Sequence, residues 1–229
     1  MSKCLNCPQA GKHAFCSLSQ DSQTYLNANS ISVEYPRGGA LFHEGDDCSA
    51  VFILCSGRVK LTSTSREGRS LILRIAQPGD VLGLSAALSG KEYEITAETL
   101  EPCRVRILHT KHLANMLQQY ADVSLAMNKV LEKDYRAAFS EARLIALPGS
   151  PAGRLARLLL DWAEDARLKG TNLPITIPLT HDELASMTAT TRETITRTLG
   201  RLRRDKVIAT HGIALRVLQP RELERLSAC

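Results

Sequence analysis

Aromatic side chains make up only 4% of this chain, with a single tryptophan. That shortage argues against a protein that grips single-stranded nucleic acid by stacking bases on aromatic platforms. Strong charge of either sign is missing too: 29 basic against 24 acidic residues leave a net +5. Affinity for a polyanion must therefore come from where the cations sit. No apolar run approaches the length of a membrane span, and the first residues carry no signal-peptide core, which predicts a cytoplasmic protein with no membrane partner. There is no G-x-G-x-x-G, P-loop, H-E-x-x-H or nucleophile elbow, so the chain is not expected to be an enzyme. Seven cysteines, an odd number in a reducing compartment, read as thiols or metal ligands rather than as a disulfide framework.

What is present is a globular composition, 44% hydrophobic over 229 residues, enough for one large or two modest domains. The most informative stretch is Leu179–Leu218. Thr180 stands three residues before Glu183, and Thr190 three before Glu193. Each pair has the capping-box form, which predicts two short helices joined by a tight turn. The second helix carries Ile195, Leu199 and Leu202 as a narrow apolar stripe, with Arg192, Thr196, Arg197, Arg201, Arg203 and Arg204 elsewhere around it. The whole stretch holds seven basic side chains against four acidic ones, a local excess suited to a phosphate backbone. A helix buried on one side, arginine-rich on the other and entered through a capped turn fits the recognition helix of a helix-turn-helix, with double-stranded DNA as its partner. The plainer alternative is a solvated surface helix.

The rest of the chain divides by pattern. Residues 1–17 form an irregular arm with Cys4, Cys7 and Cys16; a C-x2-C pair offers two thiolates to one metal centre. His13 lies in the same arm as a further potential ligand. Residues 18–30 read as a short amphipathic segment. From Ile31 to Leu108, alternating apolar residues are cut by glycine turns at roughly ten-residue spacing, the mark of an antiparallel barrel or jelly roll. Cys55 falls within a strand there, as a small core residue, and Cys48 in a turn. Residues 110–147 are helical, with an apolar seam at Met127, Leu131, Tyr135, Ala138, Ala142 and Ile145 that predicts a pairing helix. Leu147-Pro148-Gly149-Ser150-Pro151 ends it, and Ser150 caps a new helix with Pro151 at its first position. Leu173–Leu179 reads as a strand pair, and two short strands around His211-Gly212 form a wing.

Several of these stretches resemble one family. T-R-E-T-I-T-R, with Arg192, Glu193 and Arg197, is similar to the base-reading pattern of the Crp/Fnr transcription regulators. LFHEGD, VFILCSGRVKL and PGDVLGL resemble their β-roll sensor domain. The resemblance implies a homodimer on a palindromic operator, with RNA polymerase as a further partner. It implies that Arg192 reads a guanine, that Arg197 meets a guanine or a phosphate, that Glu193 reads a cytosine amino group and that Thr196 meets a thymine methyl, with Thr191, Arg201, Arg203 and Arg204 completing the contact surface. In the cyclic-nucleotide members a glutamate follows the glycine after the PGD turn, and an Arg-Ser pair further on grips the phosphate. Here Gly83 is followed by Leu84 and Ser85, and Gly83–Thr99 holds no arginine, so no cyclic nucleotide is expected. The G-L-S-A and ETLEPC stretches are closer to the oxygen-sensing Fnr branch. There a cysteine just after an E-T dipeptide joins three N-terminal cysteines on a [4Fe–4S] cluster. Cys103 matches that place, giving Cys4, Cys7, Cys16 and Cys103 as implied ligands. The eight residues between Cys7 and Cys16 exceed that branch's spacing. Family members also usually have glycine where this chain has Ala189; a left-handed alanine there costs about 1 kcal/mol.

The expected fold is thus α+β: a cyclic-nucleotide-binding-like β-roll over 18–109, a dimerisation helix region over 110–148 and a winged helix-turn-helix over 149–229, behind the arm 1–17. The expected function is DNA-binding transcription regulation controlled by oxygen or redox state. Zinc, a thiol switch or an unidentified small ligand are alternatives within that fold. A metal-binding or electron-transfer protein is the alternative from another class.

Overall fold

Strands of alternating polarity must bury one face, and in the computed structural model those of residues 30–109 do so in two sheets. The structure describes residues 13–65, 67–68, 70–146, 149–168, 175–176, 179–211 and 214–228. Contacts divide the chain into two compact units, Met1–Phe139 and Ser140–Cys229, with the boundary inside one long helix.

The described part of the first unit opens with a short 3-10 turn, Ala14–Cys16, and helix α1, Gln20–Asn29, capped by the Ser19 hydroxyl. Strands β1 (Ser30–Tyr35), β8 (Cys103–His109), β3 (Ala50–Ser56) and β6 (Val81–Leu82) form one antiparallel sheet in that order. Strands β2 (Ala40–Phe42), β7 (Thr96–Thr99), β4 (Val59–Thr64) and β5 (Ser70–Ala76) form the other. Strand β3 shows how the sheet serves two cores, because successive side chains point to opposite faces. Its Ala50, Phe52 and Leu54 meet Leu41, Val59, Leu61 and Val105 inside the roll. Its Val51 and Ile53 meet Phe15, Leu18 and Leu26, together with Leu113, Met116 and Met127, on the other side.

Helix α2 (Leu84–Ser89) follows β6, and α3 (Thr110–Gln119) and α4 (Ala121–Ala146) follow the roll, so the helical stretch is broken at Tyr120, whose backbone is extended. The apolar face of α4 is split in two. Val123, Ala126, Met127 and Val130 enter the protomer's own core, with Leu131 packed against it, whereas Leu125, Tyr135 and Phe139 are exposed. The seam expected from the sequence is corrected accordingly. Met127 and Leu131 belong to the core, because the roll needs a helical lid and these two residues lie on the side that provides it.

In the second unit, the Ser150 hydroxyl accepts from the Gly153 amide and starts α5, Pro151–Leu168, as the sequence predicts. Helices α6 (His181–Met187) and α7 (Arg192–Arg204) follow. Strands β10 (Ile208–His211) and β11 (Ala214–Val217) pair as the wing, with β9 (Ile175–Thr176) on the far side of β11. The remainder of the strand pair expected over 173–179 lies outside the described strand residues. Helix α8, Pro220–Ser227, closes the unit by burying Leu223 against the region of α5. The sequence reading has no counterpart for α8, because its one buried leucine gives too short an apolar pattern to register.

Candidate nucleic-acid interface and the cysteines

Helix α6 starts with the predicted capping box: the Thr180 hydroxyl accepts from the Glu183 amide at 3.2 Å, and the Glu183 carboxylate accepts from the Thr180 amide at 2.8 Å. It ends in a Schellman arrangement, with Thr190 N–H donating to Ala185 O at 2.9 Å and Ala189 N–H to Ser186 O at 3.3 Å. Ala189 sits at φ 46°, the left-handed conformation in which glycine is normal. This arrangement corrects the second expected capping box. Thr190 is held in the turn by its bond to Ala185, so the cap moves to Thr191, whose hydroxyl accepts from the Thr194 amide at 3.3 Å. Glu193 therefore lies at the second helical position. Its carboxylate accepts from its own amide and from the Thr191 hydroxyl, which hold its pKa below the usual value.

Ile195, Thr198, Leu199 and Leu202 bury one face of α7. Thr191, Arg192, Glu193, Thr196, Arg197, Arg201, Arg203 and Arg204 are all exposed. The structure brings all of these predicted residues onto one element. Arg192 lies 3.5 Å from the Asp182 carboxylate. The Thr196 hydroxyl donates to Arg192 O at 2.9 Å and lies 2.8 Å from His181 Nδ1. Among the described residues, Arg197, Arg201, Arg203 and Arg204 have no side-chain partner. A cationic face this free of internal pairing is available to phosphate and base edges. Asp182 and His181, in the first turn of α6, contact the recognition face and were missed from sequence, because nothing in their own spacing signals a neighbour ten or more residues away.

Of the four cysteines implied as ligands, the structure describes two. Cys4 and Cys7 lie outside the described residues. Cys16 is half-buried, and Phe15 beside it packs into the core on the helical side of the sheet. Cys103 is buried at the start of β8, alongside Val105 in the opposite core, inside the roll. Its one thiol proton is shared between the carbonyls of Glu101, 3.1 Å from the sulfur, and Arg58, 3.3 Å from it. It fits so closely against Gly57, whose φ is 87°, that a Cβ there would stand 2.5 Å from the sulfur. Burial pushes its pKa up, away from the thiolate that a metal requires. In this conformation Cys103 does not fit a four-cysteine cluster. Among the described residues no group of three His, Cys, Asp or Glu side chains could hold a metal ion.

The region beside Gly83 is filled by protein. Tyr93 stacks on Phe42 with ring centroids 4.0 Å apart, and its hydroxyl donates to Ala50 O at 2.7 Å. Burial, with the Cys48 thiol beside it, pushes the Tyr93 phenol up to about 12. Ser85 donates to Glu94 at 3.0 Å, so this edge of the roll presents a carboxylate rather than a guanidinium.

A β-roll with a helical lid, followed by a winged helix-turn-helix whose second helix offers unpaired arginines, defines a sensor-and-DNA-binding protein. Residues 32–120 match the model of the cyclic nucleotide-binding domain, and residues 153–226 match the Crp-like helix-turn-helix domain. The chain belongs to the Crp/Fnr family and is a DNA-binding transcription regulator, not an enzyme. It is 27% identical to the transcriptional activatory protein AadR of Rhodopseudomonas palustris, over 86% of this chain and 81% of that protein. It is 26% identical to the anaerobic regulatory protein of Bacillus subtilis, over 91% of this chain and 88% of that protein. Among solved structures, FixK2 from Bradyrhizobium japonicum superposes with a TM-score of 0.78 at 20% identity, covering 87% of this chain and 98% of that one, a likeness of fold.

Proposed function

We propose that the protein binds a palindromic operator as a homodimer and answers to redox state through its N-terminal cysteines, with RNA polymerase as its downstream partner. The observation that carries the DNA-binding half is the face of α7, where Arg197, Arg201, Arg203 and Arg204 stand exposed beside Arg192 and Glu193. The exposed apolar residues Leu125, Tyr135 and Phe139 on α4 support pairing of two copies along that helix. Two-fold symmetry then sets the half-sites about one helical turn apart. The relative named an anaerobic regulatory protein supports a signal linked to oxygen supply.

For the sensor, a [4Fe–4S] cluster on Cys4, Cys7, Cys16 and Cys103 needs Cys103 to leave its buried place in the roll and give up its thiol hydrogen bonding. The burial of Cys103 favours the second reading, thiol or zinc chemistry confined to the arm, where Cys4, Cys7 and Cys16 suffice. Protein purified without oxygen, with its absorption spectrum and metal content measured, separates the two. The arm-only reading expects no iron-sulfur absorption, and expects Cys103→Ser to leave both the redox response and operator affinity in place. A brown protein that loses colour and operator binding on Cys103→Ser establishes the cluster instead. A protein whose operator affinity ignores air, reductant and chelator alike would remove redox sensing altogether. The DNA-binding reading would survive that outcome.

A further inference from the structure

The turn that presents α7 is built on an alanine where the backbone favours glycine, so something outside the turn must hold it. Arg154, in the first turns of α5, does so with its whole guanidinium. Its Nε donates to Thr188 O at 2.7 Å and one terminal nitrogen to Ala189 O at 3.0 Å. The other terminal nitrogen donates to Gly149 O at 2.8 Å, just before α5 begins. Thr188 is the C-cap of α6 and fully buried, and its hydroxyl is already committed to Leu184 O at 2.7 Å. Carbonyls at a helix C-terminus have no partner within the helix, and a charged donor is the strongest group that can satisfy them. The planar fork reaches two consecutive carbonyls and a third on another segment at once; a lysine ammonium does not match that geometry.

We propose that Arg154 is a positioning residue for base reading: by clamping Thr188 O and Ala189 O it fixes the left-handed turn, and so the angle at which α7 offers Arg192 and Arg197 to DNA. The inference rests on α7 being the recognition helix, and it assigns Arg154 no contact with DNA. Its bond to Gly149 adds a consequence, since the guanidinium that sets the turn also grips the segment that leads into α5.

The test uses the full chain, a palindromic duplex selected from a random pool by the wild-type protein, and a scrambled duplex of equal length. Arg154→Gln is expected to weaken the selected duplex about tenfold or more, from the loss of charge-assisted bonds, and to change the scrambled duplex by less than about twofold. Ala189→Gly alone is expected to change little. Combined with Arg154→Gln it is expected to restore most of the preference, because glycine adopts the turn without a clamp. If Arg154→Gln alone does not fold, as judged by circular dichroism, Arg154→Lys carries the same comparison, with a smaller loss and the same rescue. Equal weakening of both duplexes with a shallower salt dependence would make Arg154 a phosphate contact and overturn the proposal. So would an unchanged preference in Arg154→Gln, or a loss that Ala189→Gly does not repair. Arg192→Ala controls for the premise: if it leaves the preference intact, the assignment of α7 fails, whatever Arg154 does.

Discussion

Arg192 and Arg203 lie on the same helix and are both exposed, yet their positions lead to different expectations. Arg192 is in the first turn, beside Asp182, where a recognition helix enters the major groove. Arg203 is in the last turn, where the helix leaves it. Arg192→Ala should therefore cost about 1–3 kcal/mol on the preferred operator and relax the preference at one position per half-site. Arg203→Ala should weaken all duplexes alike and lower the salt slope by about one. Binding titrations on selected and scrambled duplexes at several salt concentrations check both, and equal losses for Arg192→Ala would remove its role. At this scale the sequence was readable where a function depends on local spacing, as with the Thr180 cap and the arginines of α7. The burial of Cys103, which the family resemblance suggested as a ligand, is encoded in the alternation Cys103, Val105, Ile107 along β8, since residues two apart share a face. Arg154 was not readable at all: its partners lie 34 and 35 residues away, and no local pattern encodes a bond of that reach.

Among the elements, α4 is tied to the rest of the first unit by polar side chains. Its Asp122 accepts from the Ser19 amide at 2.8 Å and the Ser22 hydroxyl at 2.7 Å, so one carboxylate ties the start of α1 to the start of α4. Further along, Lys133 pairs with the buried Asp80, and Asp134 lies 3.0 Å from Arg74. Partial burial works against ionisation of Asp122, but the Ser19 amide and the serine hydroxyls outweigh it and hold its pKa below the usual value. A carboxyl depressed in this way stabilises the fold above the unfolded-state value, about 4, and that stabilisation is lost as pH falls through the lower folded value. Asp122→Asn should thus lower the melting temperature at neutral pH and flatten its decline between about pH 4 and 2. Parallel wild-type and variant curves on the acid side would show that the carboxylate does not hold α1. The helical character of α4 followed from periodicity and that of α5 from the Ser150 cap, whereas residues 18–30 read only as a short amphipathic segment and the break between α3 and α4 did not register. Which apolar stripe of α4 faces the roll did not follow either, because a helix with two apolar stripes does not itself declare which one its own chain will cover.

At the scale of the whole molecule, binding to a palindrome depends on two recognition helices being offered together. Phe139 is 57% exposed and meets Tyr135 in a tilted ring contact with centroids 5.1 Å apart, an apolar pair on the outside of α4. Phe139→Glu should convert a dimer to monomers in sedimentation and weaken the palindromic duplex by about a hundredfold or more, with a single half-site changed little. A dimeric Phe139→Glu protein would show that the copies pair elsewhere. Cyclic AMP, added to the wild type, should leave operator affinity unchanged, since a ligand shifts an equilibrium only by its differential affinity for the two states. Micromolar stoichiometric heat in a calorimetric titration would overturn that expectation. The shared wall between the two cores of the roll also fixes the order in which a ribosome can finish the protein. Strand β8 pairs with both β1 and β3, so the sheet cannot close until residue 109 has been made. Phe15 and Leu18 gain their full set of neighbours only when Val123–Val130 of α4 emerges. The segment that carries Cys16 therefore stays uncovered through more than half of synthesis, longer than any strand of the roll that it finally packs against.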